Sequence, residues 1–105
     1  MDETAARNFR SFAEFYPFYL GEHRNRTSRR LHFAGLTLGL VCLVAAGATL
    51  NPWWILAGLA CGYGFAWVGH FFFEKNRPAT FKYPRYSFMG DWKMYGQMWQ
   101  GRIKL

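Results

Sequence analysis

The sequence predicts an all-α membrane protein, a two-helix transmembrane hairpin flanked by amphipathic helices at the interface. Three observations predict it. From Leu31 to Leu50 there is no Asp, Glu, Lys or Arg, the same holds from Trp53 to Phe73, and only Asn51 and Pro52 separate the two stretches. Each stretch is about 20 residues long, roughly 30 Å as a helix, which matches the hydrocarbon thickness of a bilayer. The composition agrees, because 51% of residues are hydrophobic and 21% aromatic while the mean hydropathy is only −0.13, so apolar and polar residues are segregated into blocks.

With 105 residues the chain has room for one domain, a single membrane domain over 1–105. A buried soluble hairpin is disfavoured, since the remainder carries every charged side chain and cannot enclose two helices that are apolar on all sides. A cleaved signal peptide does not fit either: the first apolar block follows 30 residues of mixed charge, and a second block comes at once. Cys42 and Cys61 lie near the middle of the two spans and read as reduced, buried thiols without metal or disulfide spacing.

The net charge of +7 is placed, not scattered. Arg24, Arg26, Arg29 and Arg30 precede the first span, Lys75, Arg77, Lys82 and Arg85 follow the second, and the turn between them is uncharged. This is the positive-inside pattern of an integral membrane hairpin with both termini cytoplasmic, in the cell inner membrane if the source is bacterial. Topology and attraction to anionic membrane lipid account for the whole excess. Without a recognisable reading module, no nucleic acid partner is expected.

Residues 4–20 read as an amphipathic interfacial helix, with Phe9, Phe12, Tyr16 and Tyr19 three or four apart. Pro17 is expected to kink or shorten it, and Gly21 to stop it. Glu22 to Arg30 reads as a basic connector, in which Asn25-Arg26-Thr27 is a glycosylation acceptor made inert by its cytoplasmic side. Transmembrane helices over 31–50 and 53–73 follow. Gly35 and Gly39 in the first, and Gly58 and Gly62 in the second, have the spacing that lets helix backbones approach in lipid. His32 shares a face with Gly35 and Gly39, and Gly58, Gly62, Ala66, His70 and Glu74 follow one i, i+4 ridge, so both histidines are expected to turn inward. Asn76 to Gly90 reads as a loop, and a last interfacial helix spans 91–102, capped by Asp91, with Trp92, Tyr95, Met98 and Trp99 as its apolar stripe.

Antiparallel spans bring the start of the first level with the end of the second. His32 and His70 then share one depth, His23 can fold back to it across the connector, and Glu74 lies one turn beyond His70. Three imidazoles and a carboxylate can therefore converge at the cytoplasmic edge of the hydrocarbon, where ionisable groups tend to be functional. One interfacial histidine can be a mere anchor, but anchoring usually falls to Trp, Tyr and Lys, so three histidines in one layer point to a shared ligand. Such ligands suit iron, zinc or manganese; two histidines with one carboxylate is the facial arrangement of oxygen-activating Fe(II), whereas zinc would favour hydrolysis. The residues leave the metal open. Tyr83, Tyr86 and Asp91 are further candidates to approach the site.

Glu22-His23-Arg24-Asn25, Leu31-His32-Phe33-Ala34-Gly35 and the run from Trp67 through Gly69-His70, Phe73-Glu74-Lys75-Asn76 and Arg77-Pro78-Ala79 resemble the membrane 2-hydroxy fatty acid dioxygenase family, in the form of its short bacterial members. The similarity continues through Tyr83-Pro84, Ser87 and Gly90-Asp91 to Gly101. The resemblance implies an Fe(II)-dependent α-oxidation that shortens a long-chain 2-hydroxy fatty acid by one carbon, an activity of eukaryotic relatives in the endoplasmic reticulum. It implies His23, His32 and His70 as catalytic metal ligands; Glu74 is added from spacing alone. The substrate tail would stay in lipid while its carboxylate meets Arg29, Arg30 and Arg77 at the rim. A homodimer burying the glycine faces is the expected assembly. The competing readings are a non-catalytic membrane protein that binds lipid headgroups or a partner protein, and another metal-dependent lipid enzyme.

Overall fold

The computed structural model describes residues 9–105, and among these it is all-helical. The elements are α1 (Phe12–Gly21), α2 (Arg26–Thr49), α3 (Trp53–Val68) running on into a π-helical turn (Gly69–Glu74), a short 3-10 turn (Ala79–Phe81) and α4 (Pro84–Trp99). α2 and α3 form an antiparallel hairpin, and α1 and α4 cap the end where the chain enters and leaves it. The molecule measures 44 × 26 × 26 Å.

The segments Arg26–Thr49 and Trp53–Glu74 are long and apolar enough to cross a membrane, and only 17% and 11% of their apolar windows are buried. They are not core helices wrapped by the rest of the chain: Val41, Leu43, Val44 and Leu56 stand exposed along the hairpin. Glycines set how closely the two helices approach. A Cβ on Gly35 would lie 2.8 Å from Phe65 Cβ and 2.9 Å from the Cys61 carbonyl, and one on Gly58 would lie 3.1 Å from the Gly39 carbonyl. Gly35, Gly39 and Gly58 thus serve the contact within the chain. A Cβ on Gly62 meets nothing within 4 Å among the described residues, so this glycine borders open space there.

The cap is the true core. Phe15, Tyr16, Phe18 and Tyr19 of α1 pack with Ala79, Met94 and Met98. The aromatic stripe of the first helix therefore seats against α4 and the 3-10 turn. Ser11 caps α1, its Oγ accepting from the Glu14 N–H at 3.2 Å, and Gly21 ends it. Pro17 does not end the helix, because the residues on either side are anchored in the core. The part of this helix expected over residues 4–8 lies outside the described residues.

Two boundaries differ from expectation for reasons of capping. α2 starts at Arg26, ahead of its apolar block, because Asn25 Oδ1 accepts from the Ser28 N–H at 3.1 Å; the supposed glycosylation site is a helix cap. α4 starts at Pro84, not at Asp91, since proline suits the first helical position. The expected loop over 76–90 is accordingly shorter, and Asp91 sits mid-helix. The inward face of α4 is Ser87, Gly90, Met94, Tyr95 and Met98, while Trp99 of the expected stripe is exposed. Two of those five residues, Ser87 and Gly90, are small, and a reading by hydrophobicity passes over them.

Candidate metal centre

His23 lies in the connector after α1, His32 in the second turn of α2 and His70 in the π-helical turn. All three are buried, at 2%, 2% and 3% exposure. One ring nitrogen of each lies within 4.8 Å of the other two, and the ring centroids are 4.4, 4.5 and 5.0 Å apart, mutually edge-on. The three predicted imidazoles converge.

Each Nδ1 already has a partner that fixes its proton. His23 Nδ1 lies 2.7 Å from the Tyr19 carbonyl, and His32 Nδ1 lies 2.8 Å from the Ser28 carbonyl. A carbonyl only accepts, so both Nδ1 atoms donate, and in the neutral ring Nε2 is left with a bare lone pair. His70 Nδ1 lies 2.6 Å from Asn76 Oδ1. The Asn76 amide is oriented by its own Nδ2, which donates to the Glu22 carbonyl at 3.1 Å, so His70 is held in the same tautomer. The Nε2 atoms of His23 and His32 are then 3.0 Å apart with no proton between them. Lone pairs held so close repel unless a cation lies between, and carbonyl or amide oxygens on the far nitrogens are the usual supports of metal-binding imidazoles. The three residues can hold a metal ion.

The surroundings keep the His23 ring neutral. Removal from water, together with the neighbouring His32 and His70, pushes the His23 pKa well below its ordinary value. Tyr19 stacks on His23 with ring centroids 4.1 Å apart, and its hydroxyl donates to Asp91 Oδ1. Gly90 admits the ring: a Cβ there would sit 3.0 to 3.2 Å from the Tyr19 carbons. Gly69 likewise admits Ser28, whose Oγ would be 2.7 Å from a Cβ at that position.

Glu74, expected as a fourth ligand, does not join the cluster. The i, i+4 ridge that linked it to His70 assumes an α-helix, but the backbone widens to i→i+5 bonding across Gly69–Glu74, which changes the direction of every later side chain. Glu74 Oε1 instead accepts from the Asn25 N–H at 2.9 Å, at the start of α2, where a carboxylate is favoured by the helix dipole. Lys75, with φ +61°, ends the turn.

Of the three arginines, Arg29 spends its guanidinium on backbone carbonyls of His23 at 3.2 Å, Arg24 at 2.7 Å and Lys104 at 3.1 Å. It braces the connector that carries His23. Arg30 and Arg77 are exposed. Tyr83 and Tyr86 belong to the aromatic core around Phe15 rather than to the histidines. Asp91, however, reaches the vicinity through Tyr19. Asn76 is not expected at the site, because its six-residue offset from His70 is not a helical spacing; its place in a His-centred motif is the signal that marks it.

The chain matches the family described as 2-hydroxy-palmitic acid dioxygenase Mpo1-like over residues 9–103. It belongs to the Mpo1-like family. No curated protein and no solved structure matches it. All three histidines and their Nδ1 partners fall inside the matched region of this Mpo1-like chain.

Proposed function

We propose that this Mpo1-like protein is an Fe(II)-dependent dioxygenase that shortens long-chain 2-hydroxy fatty acids by one carbon, working at the cytoplasmic edge of a membrane that its hairpin crosses. The observation that carries the reading is the convergence of three buried imidazoles whose protons are all fixed on the outward nitrogen. Three imidazoles alone also suit zinc. Zinc has no redox chemistry, and the family description names an oxygenation, so iron is the ion of choice.

The reaction balances without a further reductant. The 2-hydroxy acid R–CH(OH)–COOH plus one O2 gives R–COOH, CO2 and one water; the bond between the carboxyl carbon and C2 breaks. C2 and the carboxyl carbon together give up four electrons, and dioxygen takes the same four. Iron(II), when bound, would supply the activation of dioxygen. The chain's own part is to keep three Nε2 lone pairs bare, to hold the rings by Tyr19, Ser28 and Asn76, and to exclude water by burial. Arg30 and Arg77, exposed at the rim, draw the substrate carboxylate to the surface. Both termini on the cytoplasmic side follow from the arginines and lysines at that end.

The test is conversion. Protein purified in mild detergent without oxygen and loaded with iron(II) is given 2-hydroxypalmitate and air, and products are read by mass spectrometry. Pentadecanoate with one CO2 per chain shortened is the expected result. An iron-loaded sample that leaves the hydroxy acid intact overturns the reading.

A further inference from the structure

A groove of about 180 Å³ runs along the outside of the hairpin between α2 and α3. Its floor is made of small residues, among them Gly39, Gly62 and Ala66, and its walls include Leu40, Leu43 and Leu59. Among the described residues, His32 and Asp91 are its only titratable lining residues apart from Tyr63. The antiparallel register puts both at one end: His32 and Ala66 lie near the cap, Leu43 and Ile55 near the turn. From His32 to Leu43 the groove follows roughly 16 Å of helix. That is about half of a ~30 Å hydrocarbon core, the depth of one leaflet.

We propose that this groove is the channel for the acyl chain of the lipid substrate, entered sideways from the bilayer, with Asp91 accepting the hydrogen bond of the 2-hydroxyl at its polar end. The proposal rests on the function given above and names what selects the substrate. Continuity decides the occupant. The same His32 that lines the groove also belongs to the metal cluster, so a chain lying in the groove delivers its head to the histidines. A second protein helix would have no use for a floor that ends on a carboxylate and an imidazole. Asp91 Oδ1 accepts from the Tyr19 hydroxyl, and Asp91 lines the groove beside His32, which sets a carboxylate acceptor where the polar head arrives. Burial raises the Asp91 pKa to about 7, so near neutral pH the group can also carry the proton that keeps it from repelling a carboxylate.

Binding is measured on metal-free protein in phosphatidylcholine nanodiscs, so turnover plays no part. A 2-hydroxypalmitate with a diazirine near its methyl end is photolysed, and labelled residues are mapped by mass spectrometry. Labels are expected at Leu43, Ile55 and Leu59, displaced by unlabelled 2-hydroxypalmitate. Gly62→Leu fills the floor at a position where an added Cβ meets no described atom within 4 Å and should weaken binding about tenfold or more; Gly64→Leu, at an exposed position where an added Cβ is equally free, should leave it unchanged. Asp91→Ala should lower the preference for 2-hydroxypalmitate over palmitate about tenfold, a ratio that a general loss of folding does not move. Labels spread over the hairpin, a Gly62→Leu protein that binds like wild type, or a groove labelled equally by a diazirine phospholipid that the hydroxy acid cannot displace would each overturn the channel. Cross-links between two chains through Leu40 and Leu59 would assign the face to a second copy instead and overturn it as well. Failure of the conversion assay with these labels in place would fault the chemistry and not the channel.

Discussion

The Tyr19 ring lies flat on His23, 4.1 Å between centroids, and carries its hydroxyl across to Asp91. One side chain therefore joins the metal cluster to the groove. Tyr19→Phe keeps the ring and its packing but leaves Asp91 Oδ1 without its donor. We expect a loss of about 1–2 kcal/mol in stability with metal content unchanged, checked by denaturation in detergent beside elemental analysis.

Asn76 supports His70 from outside the cluster. Asn76→Ala removes the acceptor on His70 Nδ1 and the donor to the Glu22 carbonyl. Loss of such a support typically lowers metal affinity about 10–100-fold. Competition with a chelator of known strength should show that drop, and an unchanged affinity would mean that His70 needs no help in holding its tautomer.

The two glycines facing opposite fates make a paired test. Gly35→Ala sets a Cβ against Phe65 and the Cys61 carbonyl, the latter being backbone that cannot move aside; overpacking of this kind costs about 1–3 kcal/mol. Gly62→Ala meets nothing and should be neutral or slightly stabilising. Thermal unfolding in one detergent compares them directly.

Acid and base act on the fold through Asp91 and His23 in opposite senses. Burial lifts the Asp91 pKa from 3.8 to about 7, against a smaller lowering by the Tyr19 hydrogen bond. The unfolded chain ionises first, so this carboxyl favours the fold fully below about pH 4, and that contribution is lost as pH rises toward 7. The His23 pKa is lowered, chiefly by burial, so its contribution is present above its ordinary 6.5 and is lost as pH falls. In metal-free protein the two partly cancel. Asp91→Asn removes one of them, and its stability should climb more steeply than wild type between about pH 4 and 6.5 in denaturant titrations.

What could be read in advance was what hydrophobic blocks and antiparallel geometry control. The uncharged runs placed both long helices, and their opposite directions brought His32 and His70 to one level with His23 beside them. What could not be read depended on single hydrogen bonds and on local winding. Asn25 extends α2 by one bond to the Ser28 N–H. The π-helical turn sends Glu74 to Asn25 in place of the metal cluster, a change that no α-helical wheel contains. Asp91 has a side chain suited to a cap, but Pro84 has already begun the helix, and Gly90 before it makes room for Tyr19.

Metal stoichiometry tests the centre most directly. Wild-type protein and His23→Ala, His32→Ala and His70→Ala variants, each titrated with iron(II) without oxygen and freed of excess ion, are assayed for iron per chain. The expected result is one iron in wild type, lost or nearly lost in every variant, with the helical circular dichroism retained. A wild-type chain that holds no iron, or a His70→Ala chain that holds as much as wild type, would contradict a centre built from these three imidazoles.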